Sequence, residues 1–315
     1  MTFSIVFPGQ GSQSVGMLSA LAESFPLVRE TFTEASTVLD FDLWEMTQSG
    51  PEETLNNTVN TQPALLAAGV ATWQVWLSEG GPAPDSLAGH SLGEYTALVC
   101  SGAMQFSDAV SLVADRGRYM QEAVPEGTGS MAAILGMDNE ALESLCNEMA
   151  QGQVVAPANF NSEGQVVIAG HKEAVSRVVA AAADAGARRS VILPVSVPSH
   201  CALMREAADR LSQRLESIEL VCGHIPVIHN VDVSSKSDPA AIKQALVEQL
   251  FQPVRWVETV QRMASQGIEN IIECGPGKVL CGLIKRIDRQ LGALPVLDSE
   301  SLHKALSTIA DKGEN

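Results

Sequence analysis

Short apolar runs alternate with longer segments of helical spacing through the first part of the chain. Residues 4–7 and 86–89 have the length and apolar character of buried strands, and 63–77 has those of a buried helix. Further helices are predicted to start near Ser91 and at Ser107, where a serine can cap the first turn. This alternation predicts an α/β sheet with helices on both faces.

The pattern changes between residues 127 and 196, where strands and helices follow the order β-α-β-β-α-β. The predicted strands are 131–135, 154–160, 165–169 and 190–195, and the predicted helices are 139–149 and 173–185. That order is typical of a ferredoxin-like unit. We therefore predict a ferredoxin-like subdomain, residues 127–196, inserted into an α/β core made of residues 1–126 and 197–315.

The larger domain resumes after the insertion with the same alternation of elements. Helices are predicted at 200–215, 240–250 and 278–291, and strands at 226–230 and 270–273. The last helix would place apolar residues on one side and basic residues on the other, at helical spacing.

Composition narrows the class of protein. The 315 residues are 45% hydrophobic and carry a formal net charge of -17, which argues against a duplex nucleic-acid partner. The N-terminal residues lack the basic and apolar regions of a signal peptide, and no apolar run approaches the ~18 residues of a membrane span. Six cysteines without a C-x-x-C pair indicate neither a zinc site nor a disulfide framework. We expect a cytoplasmic, monomeric enzyme without a metal.

The chemistry suggested first is that of an activated serine. Residues 89–93 form a G-x-S-x-G pattern, GHSLG, between a predicted strand and a predicted helix. Glycines allow the sharp turn that exposes Ser91 at a helix N-terminus, where developing negative charge is favoured. The alternative is a glycine-rich turn with a capping serine.

A serine nucleophile needs a base, and six histidines are candidates. His200 follows the last strand of the predicted insertion, at a junction between domains where active sites tend to form. The spacing favours His200 only slightly over His229, while His90 is expected to face away from Ser91. No aspartate is placed as an obvious third member of a triad.

Six motifs occur in order along the chain: FPGQGSQ at 7–13, GHSLGEY at 89–95, RG at 116–117, PSH at 198–200, PVRW at 253–256 and ECGPG at 273–277. With these motifs in this order, the chain resembles the bacterial malonyl-CoA:acyl carrier protein transacylases of fatty-acid synthesis. The resemblance runs from about residue 3 to residue 290. It implies an α/β-hydrolase-like core with an inserted ferredoxin-like subdomain.

The resemblance also implies a role for each matching residue. Ser91 would be the nucleophile and His200 the general base. The backbone carbonyl of Gln249 would orient His200 in place of an acid. The backbone N–H groups of Gln10 and Leu92 would form the oxyanion hole.

Arg116 would bind the malonyl carboxylate. Spacing alone leaves open whether Arg116 or Arg118 points inward, and the Arg-Gly motif favours Arg116. Ser199 precedes His200, as it does in methylmalonyl-selective domains of modular synthases. Malonyl-selective domains there often carry Phe, but stand-alone transacylases also carry Ser, so malonyl is the expected group.

The reaction implied is a ping-pong transfer from malonyl-CoA to acyl carrier protein, with no metal or bound cofactor. The alternatives are an acyltransferase of polyketide synthesis or malonate breakdown, and a serine esterase or thioesterase. An acidic carrier protein approaching an acidic enzyme would need a local basic patch. Two clusters are candidates for that patch: Lys285 with Arg286, and Arg188 with Arg189. The alternative for both is an ordinary solvated face.

Overall fold

Two separate β-sheets organise the chain in a computed structural model, which describes residues 2–195 and 197–310. The domain ends predicted at Met1, Ser196 and residues 311–315 lie outside the described residues. The strands are β1 Phe3–Phe7, β2 Ser86–Gly89, β3 Gly129–Leu135, β4 Val155–Ser162, β5 Gln165–His171, β6 Arg189–Ile192, β7 Val227–Ile228, β8 Asn270–Cys274 and β9 Gly292–Val296. The helices are α1 Ser19–Ser24, α2 Leu27–Leu39, α3 Leu43–Ser49, α4 Glu52–Asn56, α5 Thr58–Ser78, α6 Gly93–Cys100, α7 Phe106–Ala123, α8 Asn139–Ala150, α9 Lys172–Ala182, α10 Arg205–Glu216, α11 Pro239–Gln249, α12 Trp256–Ser265, α13 Val279–Ile287 and α14 Ser299–Ala310.

The first sheet has five parallel strands in the order β7-β2-β1-β8-β9. Every residue of β1 and β8 is buried, which is why apolar and polar residues do not alternate along these strands. The long apolar helix α5 has sixteen buried residues and packs into the same core. The prediction of a mixed α/β fold with a parallel sheet is therefore confirmed.

The second sheet has four antiparallel strands in the order β4-β5-β3-β6, with α8 and α9 in the two crossovers. Apolar residues of both helices pack with those of the sheet in a separate small core. Strand β4 joins this sheet to the rest of the chain through Val254, which lies just before α12. The N–H of Val254 donates to the Ala158 carbonyl at 2.9 Å, and the carbonyl of Val254 accepts from the Phe160 N–H at 2.9 Å.

Several predicted helix boundaries were wrong. Helix α5 begins at Thr58 rather than at residue 63, because the Asn57 side chain caps it, and α9 ends at Ala182 rather than at residue 185. Helix α7 begins at Phe106 with Gln105 as its N-cap, so Ser107 lies in the first turn instead of capping it. The helix predicted to begin at His200 begins at Arg205, after a short 3-10 turn. Helix α13 ends at Ile287 because Asp288 is extended, with φ -142° and ψ 114°, so the helix does not reach residue 291.

The parallel strands position the polar residues of the site. Strands β1, β2 and β7 run in the same direction, so the segments that follow them meet at one edge of the sheet, where α/β proteins bind ligands. In the described part of the chain, no helix has both the length and the apolar character needed to cross a membrane.

Candidate active site

The turn after β2 has the geometry that the G-x-S-x-G pattern predicts. Ser91 adopts a left-handed conformation with φ 52°, which is uncommon for a residue other than glycine. A Cβ on Gly89 would lie 1.8 Å from the carbonyl carbon of Gly93, and one on Gly93 would lie 2.1 Å from the carbonyl oxygen of Phe7. Both flanking glycines are therefore required by close backbone approach, which excludes an ordinary glycine-rich turn.

Asn230 holds this turn from outside the motif. Its side-chain oxygen accepts from the Ser91 N–H at 2.8 Å, and its amide NH₂ donates to the Gly89 carbonyl at 2.7 Å. These two bonds satisfy backbone groups that the strained turn leaves without secondary-structure partners. Sequence reasoning missed Asn230, because it contacts the turn across 139 residues of chain.

Ser91, His200 and Gln249 form one hydrogen-bonded chain. Oγ of Ser91 lies 2.7 Å from Nε2 of His200, and Nδ1 of His200 lies 2.7 Å from the carbonyl oxygen of Gln249. A carbonyl can only accept, so Nδ1 carries the proton and Nε2 is left to accept from the serine hydroxyl. The carbonyl thus occupies the position that an aspartate has in a triad.

The histidines near Ser91 differ in what their rings contact. His200 has φ 61° and its N–H donates to the Leu250 carbonyl at 2.9 Å, so the backbone fixes its ring beside Ser91. His229 instead lies 2.8 Å from Glu94, through Nδ1. His90 lies next to Ser91 in sequence, but its Nε2 is 2.8 Å from the side-chain oxygen of Asn161 on β4.

Burial controls the protonation of the imidazole. Removal from solvent, followed by the charge of Arg116, lowers the pKa of His200 to about 3. The ring is therefore neutral at ordinary pH. A neutral imidazole is the form that can accept a proton from a hydroxyl.

Arg116 points into the protein, and Arg118 points out. Arg116 is only 2% exposed, whereas Arg118 forms a surface ion pair with Asp115 at 2.7 Å. The Arg116 guanidinium lies 5.3 Å from the centre of the Tyr95 ring. The structure therefore agrees with the Arg-Gly motif and resolves the choice that spacing had left open.

Neutral amides, rather than a carboxylate, hold the Arg116 guanidinium. Nη1 donates to Oε1 of Gln62 at 2.8 Å and Nη2 donates to Oε1 of Gln249 at 3.0 Å. Its Nε has no hydrogen-bond partner, and none of the ion pairs among residues 2–195 and 197–310 includes Arg116. A buried cation without a counter-ion is costly, so this one is suited to receive an anion. Gln62 and the side chain of Gln249 were not predicted from the sequence.

A cavity of about 290 Å³ brings these groups together. Its walls come from the four-stranded sheet and from the segments that follow β1 and β2, and Ser91, His200, Arg116, Gln10 and Leu92 all line it. Within the described ranges, the backbone N–H groups of Gln10 and Leu92 donate to no other protein group. Two free donors beside the serine could therefore bind an oxygen of a ligand. Ser199 lines the same cavity.

The basic residues predicted to form a patch separate into two groups. Arg188, Arg189 and Arg286 line one open cleft of about 410 Å³, although they come from different layers of the fold. Gln165 accepts from Nη1 of Arg286 at 2.5 Å, and it lines both this cleft and the cavity of Ser91. Lys285 is not part of the cleft, because its Nζ donates to the Leu291 carbonyl.

A larger cleft lies elsewhere on the surface, between α10 and α11. It encloses about 620 Å³ but contains neither Ser91 nor any histidine, so we assign the chemistry to the smaller cavity. Among the described residues, no cluster of three His, Cys, Asp or Glu side chains could hold a metal ion.

Known proteins share this chain's sequence and fold over nearly its whole length. A family profile described as an acyl transferase domain matches residues 4–300. The malonyl CoA-acyl carrier protein transacylase of Salmonella typhimurium is 57% identical over 305 residues, 97% of this chain and 99% of that protein. A malonyl-transacylase solved in complex with its type II PKS acyl-carrier protein superposes with TM-score 0.97 at 57% identity, covering 98% of this chain and 100% of that one. The acyl carrier protein S-malonyltransferase of Vibrio cholerae superposes with TM-score 0.95 at 56% identity, covering 97% of this chain and 100% of that one. The chain therefore belongs to the acyl transferase family and, within it, to the malonyl CoA-acyl carrier protein transacylases.

Proposed function

We propose that this chain transfers the malonyl group of malonyl-CoA to the phosphopantetheine thiol of acyl carrier protein, in fatty-acid synthesis. The reaction is ping-pong, with a malonyl-serine ester on Ser91 as the intermediate. The observation that carries the proposal is the pairing, in one cavity, of a serine–histidine dyad with a buried arginine that has no anion. The dyad suits acyl transfer, and the arginine suits an acyl group that ends in a carboxylate.

In the first half-reaction, His200 Nε2 takes the proton of the Ser91 hydroxyl while Oγ of Ser91 attacks the carbonyl carbon of the malonyl thioester. The resulting oxyanion accepts from the backbone N–H groups of Gln10 and Leu92, a contact worth ~3–4 kcal/mol per donor in other enzymes. The carbonyl of Gln249 stabilises the imidazolium through Nδ1–H. His200 then returns the proton to the departing CoA sulfur, and the malonyl ester remains.

In the second half-reaction, the same groups act on the carrier protein. His200 accepts the proton of the phosphopantetheine thiol, whose sulfur attacks the ester carbonyl. Collapse of the tetrahedral intermediate breaks the bond to Oγ, and His200 returns a proton to the serine. Arg116 holds the malonyl carboxylate throughout, so the acyl group stays in place while the thiols exchange.

The proposal also covers the domain organisation, the absence of a cofactor, and the oligomeric state and location of the enzyme. Within the described residues, 2–126 and 197–310 form an α/β-hydrolase-like core, and 127–195 form an inserted ferredoxin-like subdomain, supported by the antiparallel strand order. The reaction uses no metal and no bound cofactor, since the side chains and backbone donors named above account for every proton transfer. The enzyme acts as a monomer in the cytoplasm, where CoA thioesters are substrates.

Two alternatives differ in the acyl acceptor. A serine esterase would share the dyad but would have no use for the buried charge of Arg116. An acyltransferase of malonate breakdown or polyketide synthesis would share the whole site. The similarity to a transacylase solved with a type II PKS carrier protein favours the polyketide version among these.

The fate of the malonyl group tests the proposed acceptor. Enzyme, malonyl-CoA and a phosphopantetheinylated carrier protein are mixed, and malonyl-carrier protein and free malonate are quantified together. We expect nearly all released CoA to be matched by malonyl-carrier protein. Release of CoA matched by free malonate would support the esterase instead. Parallel assays with fatty-acid and polyketide carrier proteins compare the two pathways.

We expect serine acylation to be insensitive to pH through the range where a free histidine titrates. Because the pKa of His200 is lowered to about 3, the base stays neutral well below 6.5. The value of kcat/KM for malonyl-CoA reports groups of the free enzyme, so it should remain on its plateau from pH 7.5 down to about pH 5. An acid limb with its midpoint between 6 and 7 would contradict the burial of His200.

The same burial predicts how the free energy of unfolding changes with pH, and that dependence serves as a control for the rate measurements. Below pH 6.5 the unfolded chain takes up a proton at His200 that the folded chain excludes. This residue therefore lowers the free energy of unfolding as pH falls from 6.5 toward 3. Circular dichroism at each pH separates loss of fold from loss of rate.

The cleft formed by Arg188, Arg189 and Arg286 is proposed to dock the carrier protein. We expect Arg188→Glu with Arg286→Glu to raise the KM for carrier protein about tenfold, because charge complementarity sets the rate of encounter. The effect should shrink as salt is added. Lys285→Glu is the matched control, since Lys285 is on the same helix as Arg286 but outside the cleft. Equal increases in KM for carrier protein and malonyl-CoA would argue against docking.

A further inference from the structure

Glu94 is a fully buried carboxylate that the mechanism above does not use. It lies in the first turn of α6, whose neighbouring residues Tyr95, Ala97 and Leu98 are buried and mostly apolar. Its exposed fraction is 0%. A buried carboxylate is costly unless its oxygens are hydrogen-bonded, so its partners indicate what it does.

The partners of Glu94 all belong to segments around the site. Oε2 accepts from the Asn230 N–H and from the Gln249 side-chain Nε2, both at 2.9 Å. Oε1 lies 2.8 Å from Nδ1 of His229. Glu94 therefore contacts neither Ser91 nor His200 through its carboxylate, and any influence on the reaction must pass through another residue.

Gln249 is the residue through which Glu94 can act. Its amide nitrogen donates to Glu94 and, at 3.0 Å, to the Ser91 carbonyl, while its amide oxygen accepts from Nη2 of Arg116. The Gln249 amide thus lies between the buried carboxylate of Glu94 and the buried guanidinium of Arg116. Its hydrogens point toward Glu94 and its oxygen toward Arg116, so the hydrogen bond to Glu94 fixes which amide atom faces Arg116.

This indirect pairing has a consequence for Arg116. A carboxylate in direct contact with the guanidinium would compete with an anionic acyl group for the same donors. With a neutral amide in between, Glu94 anchors one side of the guanidinium while Nε and the remaining hydrogens have no anionic partner. The arginine is held in place and still free to bind a carboxylate.

We propose that Glu94 is a positioning residue that, through the side-chain amide of Gln249, holds Arg116 in the orientation that selects carboxylated acyl groups. The inference rests on the proposed function, because it assigns the selectivity of that same site. Its prediction concerns selectivity between acyl groups and not the rate of acyl transfer as such.

Two substitutions isolate the hydrogen bond from the charge. Glu94→Gln removes the charge but keeps an acceptor at Oε2, and its NH₂ can donate to Nδ1 of His229, which as a neutral ring can accept. Glu94→Met removes the same charge, keeps an unbranched side chain of similar volume and leaves Gln249 without that acceptor. Because both variants lack the charge, any difference between them reports the loss of hydrogen-bonding atoms at this position.

The measurement is the ratio of kcat/KM for malonyl-CoA to that for acetyl-CoA in acyl-enzyme formation. We expect the ratio to fall at least about tenfold in Glu94→Met and to stay within about threefold of wild type in Glu94→Gln. Glu94→Met also removes the acceptor of the Asn230 N–H and thereby affects the serine turn, but that change acts on both acyl groups alike and cancels in the ratio. His229→Asn is the control for loss of the other partner of Glu94, and it should leave the ratio unchanged.

Equal ratios in wild type and Glu94→Met would overturn the inference, since a purely structural role lowers both rates together. If Glu94→Met does not fold, Gln249→Met removes the amide itself while keeping the backbone carbonyl that His200 needs. An unchanged ratio in that variant would overturn it as well. A wild-type enzyme that forms no malonyl adduct would refute the proposed function instead, so the two failures are distinguishable.

Discussion

Ser91→Ala is expected to abolish the acyl-enzyme, and with it all transfer from malonyl-CoA to carrier protein. Among the described residues, Oγ of Ser91 is the only hydroxyl that hydrogen-bonds to the His200 ring, so the other serines that line the cavity have no base to activate them. The turn itself is held by Asn230 and the two glycines, so the variant should fold normally. Wild-type transfer by Ser91→Ala would refute the mechanism.

His200→Ala is expected to slow acylation by several orders of magnitude without abolishing binding. Members of such a dyad act as a unit, so removing the base costs nearly as much as removing the nucleophile. A His229→Ala variant gives a comparison, because His229 is equally buried but bonds to Glu94 rather than to Ser91. Single-turnover acylation rates for the three proteins would separate the base from a buried structural histidine.

Arg116→Ala is expected to lose ~2–5 kcal/mol of malonyl-specific stabilisation, as when one partner of a buried charge pair is removed. The carboxylate of a bound malonyl group would then enter the cavity without a cation to meet it. Acetyl has no carboxylate, so the acetyl-enzyme should form relatively better than in wild type. Competition between malonyl-CoA and acetyl-CoA, with wild type and variant side by side, measures the change.

Arg118→Ala is the matched control for Arg116. It removes an arginine from the same helix, but one that is exposed and paired with Asp115. We expect it to leave the malonyl-to-acetyl preference unchanged. An unchanged preference in Arg116→Ala as well would remove Arg116 from the substrate site and strengthen the esterase alternative.

Local features of this site could be predicted from the sequence, because five consecutive residues contain the serine and both glycines that its turn requires. Gly89 and Gly93 are needed by contacts within the turn and with β1, and the pattern alone indicates them. Parallel strands were predictable for a similar reason, since strands buried on both faces contain short apolar runs, such as residues 5–7, instead of an alternating pattern.

Contacts between distant segments were not predictable from residue spacing. Gln249 meets His200 across 49 residues, and Glu94 meets Asn230 across 136. The role of Arg116 was expected only through the resemblance to a known family, and spacing favoured His200 only slightly over His229 as the base. Glu94 did offer a signal in the sequence, since it is the one charged residue of the α6 segment.

Helix ends were the least predictable part of the fold. The segment after His200 has helical composition, yet His200 itself has φ 61°, and a left-handed residue cannot continue a helix. That conformation is imposed by the bond from its N–H to the Leu250 carbonyl, a contact with a different segment. The strain at His200, like that at Ser91, occurs where the site needs a side chain in one orientation.

The intact mass of the protein after exposure to malonyl-CoA tests the central claim most directly. The account predicts a single malonyl increment, located on the peptide that contains Ser91 and absent from Ser91→Ala. Adding phosphopantetheinylated carrier protein should remove the increment from the enzyme and transfer it to the carrier. Rapid release of CoA without any adduct, or an adduct on a residue other than Ser91, would contradict the account.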